Sequence, residues 1–182
     1  MAKFELTAET IEHFGRKLYR IKALVDFGRV KKGEAGGWIE KESNLDQDGN
    51  AWVSGNAWVS GNARVYGDAW VSGNAWVSGN ARVYGDAMVS GNAWVSGNAM
   101  VSGNARVYGD ADYATAHGFG RENRTTTFFR EEDGAIKVVC GCFYGSLEDF
   151  RATVRETHGD SKMAKEYLML ADLMEYRFAD GA

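Results

Sequence analysis

Residues 50–111 read NAWVSG NAWVSG NARVYG DAWVSG NAWVSG NARVYG DAMVSG NAWVSG NAMVSG NARVYG DA, one six-residue unit repeated without an insertion. A fixed short period means that one structural unit is stacked many times over, and it outranks the other signals in the chain. Within the unit Ala51-Trp52-Val53-Ser54, an extended backbone turns Ala51 and Val53 to one side and Trp52 and Ser54 to the other. Ala and Val are the same in every copy, whereas the positions between them vary among Trp, Arg, Met, Ser and Tyr. The constant small-plus-aliphatic pair is therefore the interior and the variable pair the exterior. Gly followed by Asn or Asp makes the corner, since these residues tolerate positive φ and the Asx side chain bonds nearby backbone.

Read as Val-Ser-Gly-Asn-Ala-Trp, the unit resembles the hexapeptide pattern of left-handed parallel β-helices, whose aliphatic and small positions stack inside a triangular prism. The resemblance implies left-handed coiling and three hexapeptides per coil. The sequence itself repeats at eighteen: Arg64-Val65-Tyr66 returns as Arg82-Val83-Tyr84, while Arg106-Val107-Tyr108 follows after twenty-four and so shifts to the next face. Ile39 and Leu45 are also six apart, and Asp46-Gln47-Asp48-Gly49 adds two residues before Val53 resumes the rhythm. The prism is expected to start near Trp38 and, at about 4.8 Å per strand step, to run roughly 20 Å over four coils.

A solenoid needs caps, because its ends expose core and unpaired strand edges. Residues 1–37 are expected to form the N-terminal cap, 38–116 the solenoid and 117–182 a small α+β domain, in a mainly β protein. In the cap, Thr7–Phe14 reads as a short helix and Arg16–Asp26, which alternates apolar and basic, as a strand. After Tyr113 the repeat fails, and His117–Arg124 reads as a polar linker. TTTFFR and AIKVVCGCFY then read as strands of a hairpin joined at Glu131-Glu132-Asp133-Gly134. Ser146 with Asp149 opens a helix to about Thr157, and Asp160 or Ser161 a second to about Phe178. Met163, Tyr167, Leu170, Met174 and Phe178 share one face of the second helix and are expected to pack on the hairpin.

A net charge of -4 and a pI near 5.4 argue against a general nucleic-acid or anionic-membrane binder. Two cysteines, Cys140 and Cys142, are too few for a disulfide framework; with no apolar leader at the start, a cytoplasmic protein is the expectation. The pair is expected to face one side of a strand as small side chains, with no metal site and no cofactor.

YRIKALVDFGRVKKGEAGGWIEKESNL (residues 19–45) with the hexapeptides after it resembles a group of phage- and prophage-encoded hexapeptide proteins, some labelled putative acyltransferases. The tail, GCFYGSLEDFRATVRETHGDSKMAKEYLMLADLMEYRF (141–178), resembles the C-terminal module of the same group. That resemblance implies a phage or prophage origin, and with it a host or phage protein as partner and a role against host defence. Hexapeptide acyltransferases resemble one another in using a histidine base, and only His117, just past the last coil, stands near a possible cleft.

Three faces per coil place Trp58, Trp76 and Trp94 in one column and Trp52, Trp70, Met88 and Arg106 in another. A tryptophan ladder open to water marks an interface, and a parallel homotrimer is its favoured cover, with a foreign protein as the alternative. The third face carries Arg64, Tyr66, Arg82 and Tyr84, with Met100 next. Its stacked guanidinium groups are expected either to pair with the corner residues Asp68 and Asp86 or, together with Arg106 and Tyr108, to hold a phosphate or nucleotide. The reading adopted is a non-catalytic, self-associating interaction module, with a nucleotide-sequestering protein and an acyltransferase as the alternatives.

Overall fold

The computed structural model describes residues 2–122 and 124–179. They form two compact units, Met1–Asp110 and Ala111–Ala182.

The first unit opens with β1 (Phe4–His13), β2 (Arg16–Ala23) and β3 (Ala35–Ile39). Ten two-residue strands follow: β4 (Trp52–Val53), β5 (Trp58–Val59), β6 (Arg64–Val65), β7 (Trp70–Val71), β8 (Trp76–Val77), β9 (Arg82–Val83), β10 (Met88–Val89), β11 (Trp94–Val95), β12 (Met100–Val101) and β13 (Arg106–Val107). They stack as three parallel faces, β3-β5-β8-β11, β4-β7-β10-β13 and β6-β9-β12. From β4 on, paired residues are eighteen apart, as Trp58 with Trp76 and Arg64 with Arg82, while β3 pairs with β5 at a separation of twenty, Trp38 with Trp58. Every alanine and valine of the repeat from Ala51 to Val107 is 0% exposed, so the constant pair fills the prism. The corners turn at glycines with φ between 61° and 72° from Gly55 to Gly103. A Cβ on Gly79 would stand 2.9 Å from the nitrogen of Gly97 in the next coil, so the corner admits no side chain.

The N-terminal segment corrects the expected helix over Thr7–Phe14. Those residues lie in β1, which pairs antiparallel with β2 from Phe4↔Ala23 to His13↔Arg16. The β-branched Thr7, Thr10 and Ile11 favour the pleated form, and the edge of β2 supplies the hydrogen bonds that a lone helical turn would have had to make alone. β2 also pairs antiparallel with β3, and β3 pairs parallel with β5 through Trp38↔Trp58, so this strand joins the hairpin to the first coil. Lys3 fills the start of the second face: its Nζ donates to the carbonyls of Asp48, Gly49 and Ala51 at 3.3, 3.4 and 3.0 Å.

The second unit is an antiparallel sheet in the order β14 (Tyr113–Phe119), β15 (Arg124–Arg130), β16 (Ile136–Cys140), β17 (Phe143–Ser146), carrying α1 (Leu147–His158) and α2 (Lys162–Phe178). Four strands stand where a two-strand hairpin was expected. The expected boundary at 116/117 falls inside β14, and the expected linker contributes His117–Phe119 to that strand. Its inward residues include Ala116, too small to give a clear apolar period, and Gly118 sits at a register shift. Phe128, Val138, Phe150, Tyr167, Met174 and Phe178 lie in the core. Ser146 caps α1 by accepting from the Asp149 backbone amide, with Asp149 reaching back to the Ser146 amide; Ser161 caps α2 by accepting from the Ala164 amide. Cys142 is exposed in the turn after β16, so it does not share a strand face with Cys140. No helix among the described residues is long and apolar enough to cross a membrane.

Candidate functional site

The exterior of the prism is built from columns one strand apart. Trp58, Trp76 and Trp94 stack with ring centroids 4.6 and 4.5 Å apart and planes within 2° and 9°. The Trp76 indole N–H donates to Ser60 Oγ and that of Trp94 to Ser78 Oγ, both at 3.4 Å, so each ring is tied to the preceding coil. This ladder is not bare. The β1–β2 hairpin tip folds over it, placing the His13 ring 3.6 Å from Trp58 and the Phe14 ring parallel to Trp76 at 5.1 Å. Trp58 and Trp76 are therefore half-buried within their own chain, while Trp94 remains 47% exposed. Phe14 itself is 73% exposed and has φ of 48°, a left-handed conformation that costs a non-glycine residue about 1–2 kcal/mol.

Trp52 does not belong to any external surface. It begins the second column as expected, but it is fully buried, with the edge of Phe27 5.4 Å from its ring. Further along that column Trp70 and Met88 are half-buried. With Arg29, Asp68, Asp86 and Arg106 they line a shallow cleft of about 300 Å³. Arg106 Nη1 donates to the Asp86 carbonyl at 3.0 Å. Tyr108 is exposed.

On the third face Arg64 and Arg82 are in register and exposed, and the Arg64 guanidinium lies 5.7 Å from the Tyr66 ring centre. Tyr66 and Tyr84 stack 4.9 Å apart, within 3° of parallel. Burial, then the neighbouring Tyr84, raises the Tyr66 phenol, while Arg82 and Arg64 pull it the other way. The expected Arg–Asp ladder is absent among the described residues: Asp68 instead accepts from the Asn50 side-chain amide at 2.7 Å and, with Asp86, faces the second-face cleft.

The corners carry a further polar column. Asn62, Asn80 and Asn98 pass a side-chain hydrogen bond from coil to coil at 3.3 and 3.0 Å, and Lys41 Nζ donates to Asn62 Oδ1 at 2.9 Å at its start.

The histidines are separate. His13 packs on Trp58, His117 has its Nδ1 3.0 Å from Thr125 Oγ1 on an exposed stretch of β14, and the His158 ring lies 6.1 Å from that of Tyr167. Among the described residues no three His, Cys, Asp or Glu side chains cluster as metal ligands.

Two exposed apolar features escaped sequence reasoning. Phe14 looked like part of a helix, although Phe-Gly between two alternating runs is a hairpin-tip signal. On α2, Met169, Leu173 and Tyr176 are exposed at four- and three-residue spacing, a second stripe beside the buried one.

The repeat family described as YdcK Beta solenoid repeat matches the chain at residues 57–73, 63–79, 81–97 and 95–109. A curated relative, the "Uncharacterized acetyltransferase YdcK" of Escherichia coli (strain K12), is 50% identical over 36 residues, which are 20% of this chain and 11% of that protein. Both similarities support a β-solenoid repeat protein.

Proposed function

We propose that this chain is a non-catalytic interaction protein of phage or prophage origin, a self-associating solenoid that engages a host or phage protein and so counters host defence. The observation that carries the reading is Phe14, held in a left-handed backbone conformation, largely open to water, and stacked on the tryptophan column beside exposed Trp94. Strain kept at an exposed aromatic is the mark of an anchor that a partner covers. A parallel trimer uses this face, and the Met169–Leu173–Tyr176 stripe is the place for the second protein. Light scattering is expected to give a trimer for the wild-type protein and a monomer for the double variant Phe14→Glu, Trp94→Glu, with an unchanged far-UV spectrum; a wild-type monomer overturns self-association through this face.

A second reading has its own support. Arg64 and Arg82 are stacked without a carboxylate partner among the described residues, beside two parallel tyrosine rings, an arrangement suited to a phosphate with an attached base. A transferase reading rests on the Escherichia coli relative's name, on a similarity over 36 residues of which half are identical, and on His117 as base.

A further inference from the structure

The second unit contains a cleft of about 280 Å³ between α1, the start of α2 and the ends of β15 and β16. Phe143, Phe150, Val154 and Met163 give it apolar walls, and its polar lining includes Arg121, Arg124, Thr153, His158 and Tyr167. Tyr167 is largely buried, lines the cleft together with Cys140, and stands edge-on to Phe150 at 5.8 Å. Burial first, and then the Cys140 thiol, push the Tyr167 phenol up to about 12, with Arg124 pulling the other way. Thr126 Oγ1 donates to Cys140 Sγ at 3.2 Å and fixes that thiol from behind.

Glycines make room for both polar ends. A Cβ on Gly120 would collide with the Tyr167 hydroxyl, and a Cβ on Gly141 with Arg124 Nη1. Arg124 has no carboxylate partner among the described residues, and Arg121 and Arg124 against Glu122 leave one net positive charge at the mouth. A half-open, mainly apolar cleft that carries a guanidinium and a neutral hydroxyl donor matches a ligand with an apolar body and one carboxylate.

We infer that this cleft binds a small monocarboxylate with a flat apolar body, its carboxylate on Arg124 and the Tyr167 hydroxyl and its body between Phe143, Phe150 and Met163. The site is independent of the solenoid faces. The test is an amide-resolved NMR titration of the full chain with 3-phenylpropionate and with its neutral twin, 3-phenylpropanamide. The acid produces saturable shifts at Arg124, Cys140 and Tyr167. The amide and the Arg124→Gln variant each bind roughly ten-fold or more weakly, as loss of a charge-assisted pair requires. Thr153→Trp, which fills the cleft from α1 and leaves Arg124 in place, abolishes the shifts. Equal binding of acid and amide, shifts confined to the Arg64 and Arg82 face, or no saturable shift overturns the assignment.

Discussion

Lys3 is a buried cation whose ammonium makes three hydrogen bonds, all to backbone carbonyls 45 to 48 residues away. Desolvation lowers its pKa to about 8, against the attraction of Asp46, Asp48 and Asp68. The folded protein thus sheds this proton at about pH 8, while the unfolded chain holds it to about 10.4. Between those values the unfolded state binds more protons, so stability rises with pH across that window; below it the charged form weighs against folding. In urea unfolding followed from pH 7.5 to 10.5, this rise is present in wild type and missing in Lys3→Met; parallel pH profiles for the two proteins would refute the assignment. Nothing in the sequence pointed to Lys3, because its partners are main-chain groups of a distant corner. Trp52 shows the same limit: strand alternation told which way it points, and could not tell that Phe27 would fold over it.

Strands were legible where period and length agreed. The ten short strands follow from six-residue spacing alone, and both helices start at the serines that cap them. β1 and β14 were not legible, since β1 depends on the edge of β2, and β14 turns alanine rather than a large apolar residue to the core. β3 depends on a close approach that no periodicity reports: a Cβ on Gly37 would stand 2.5 Å from the Ala57 carbonyl oxygen. The β6-β9-β12 face is where the nucleotide reading is decided. If it holds, calorimetry shows adenosine diphosphate binding that Arg82→Ala weakens roughly ten-fold or more, with assembly unaffected, because half of a paired anion contact is gone. Unchanged heats would remove this face as a ligand site.

The first unit behaves as a stack in which each coil touches only its neighbours, so its length is adjustable in whole coils. Removing residues 68–85 joins Gly67 to Asp86, keeps the Gly-Asp corner and returns every column to register. That variant still unfolds cooperatively, with a urea m-value reduced in proportion to the surface lost. Removing only residues 68–73 also keeps the alanine–valine interior, but it slides Arg82 beneath Trp58 and breaks the indole column. A six-residue deletion that left that column intact would show that exterior register is not set by the eighteen-residue period. The column has an optical consequence as well. Three indoles held nearly parallel about 4.5 Å apart share their electronic excitations. All six tryptophans lie between Trp38 and Trp94, so emission excited at the red edge of the absorption band, where tyrosine does not absorb, reports on the first unit and is silent about the second.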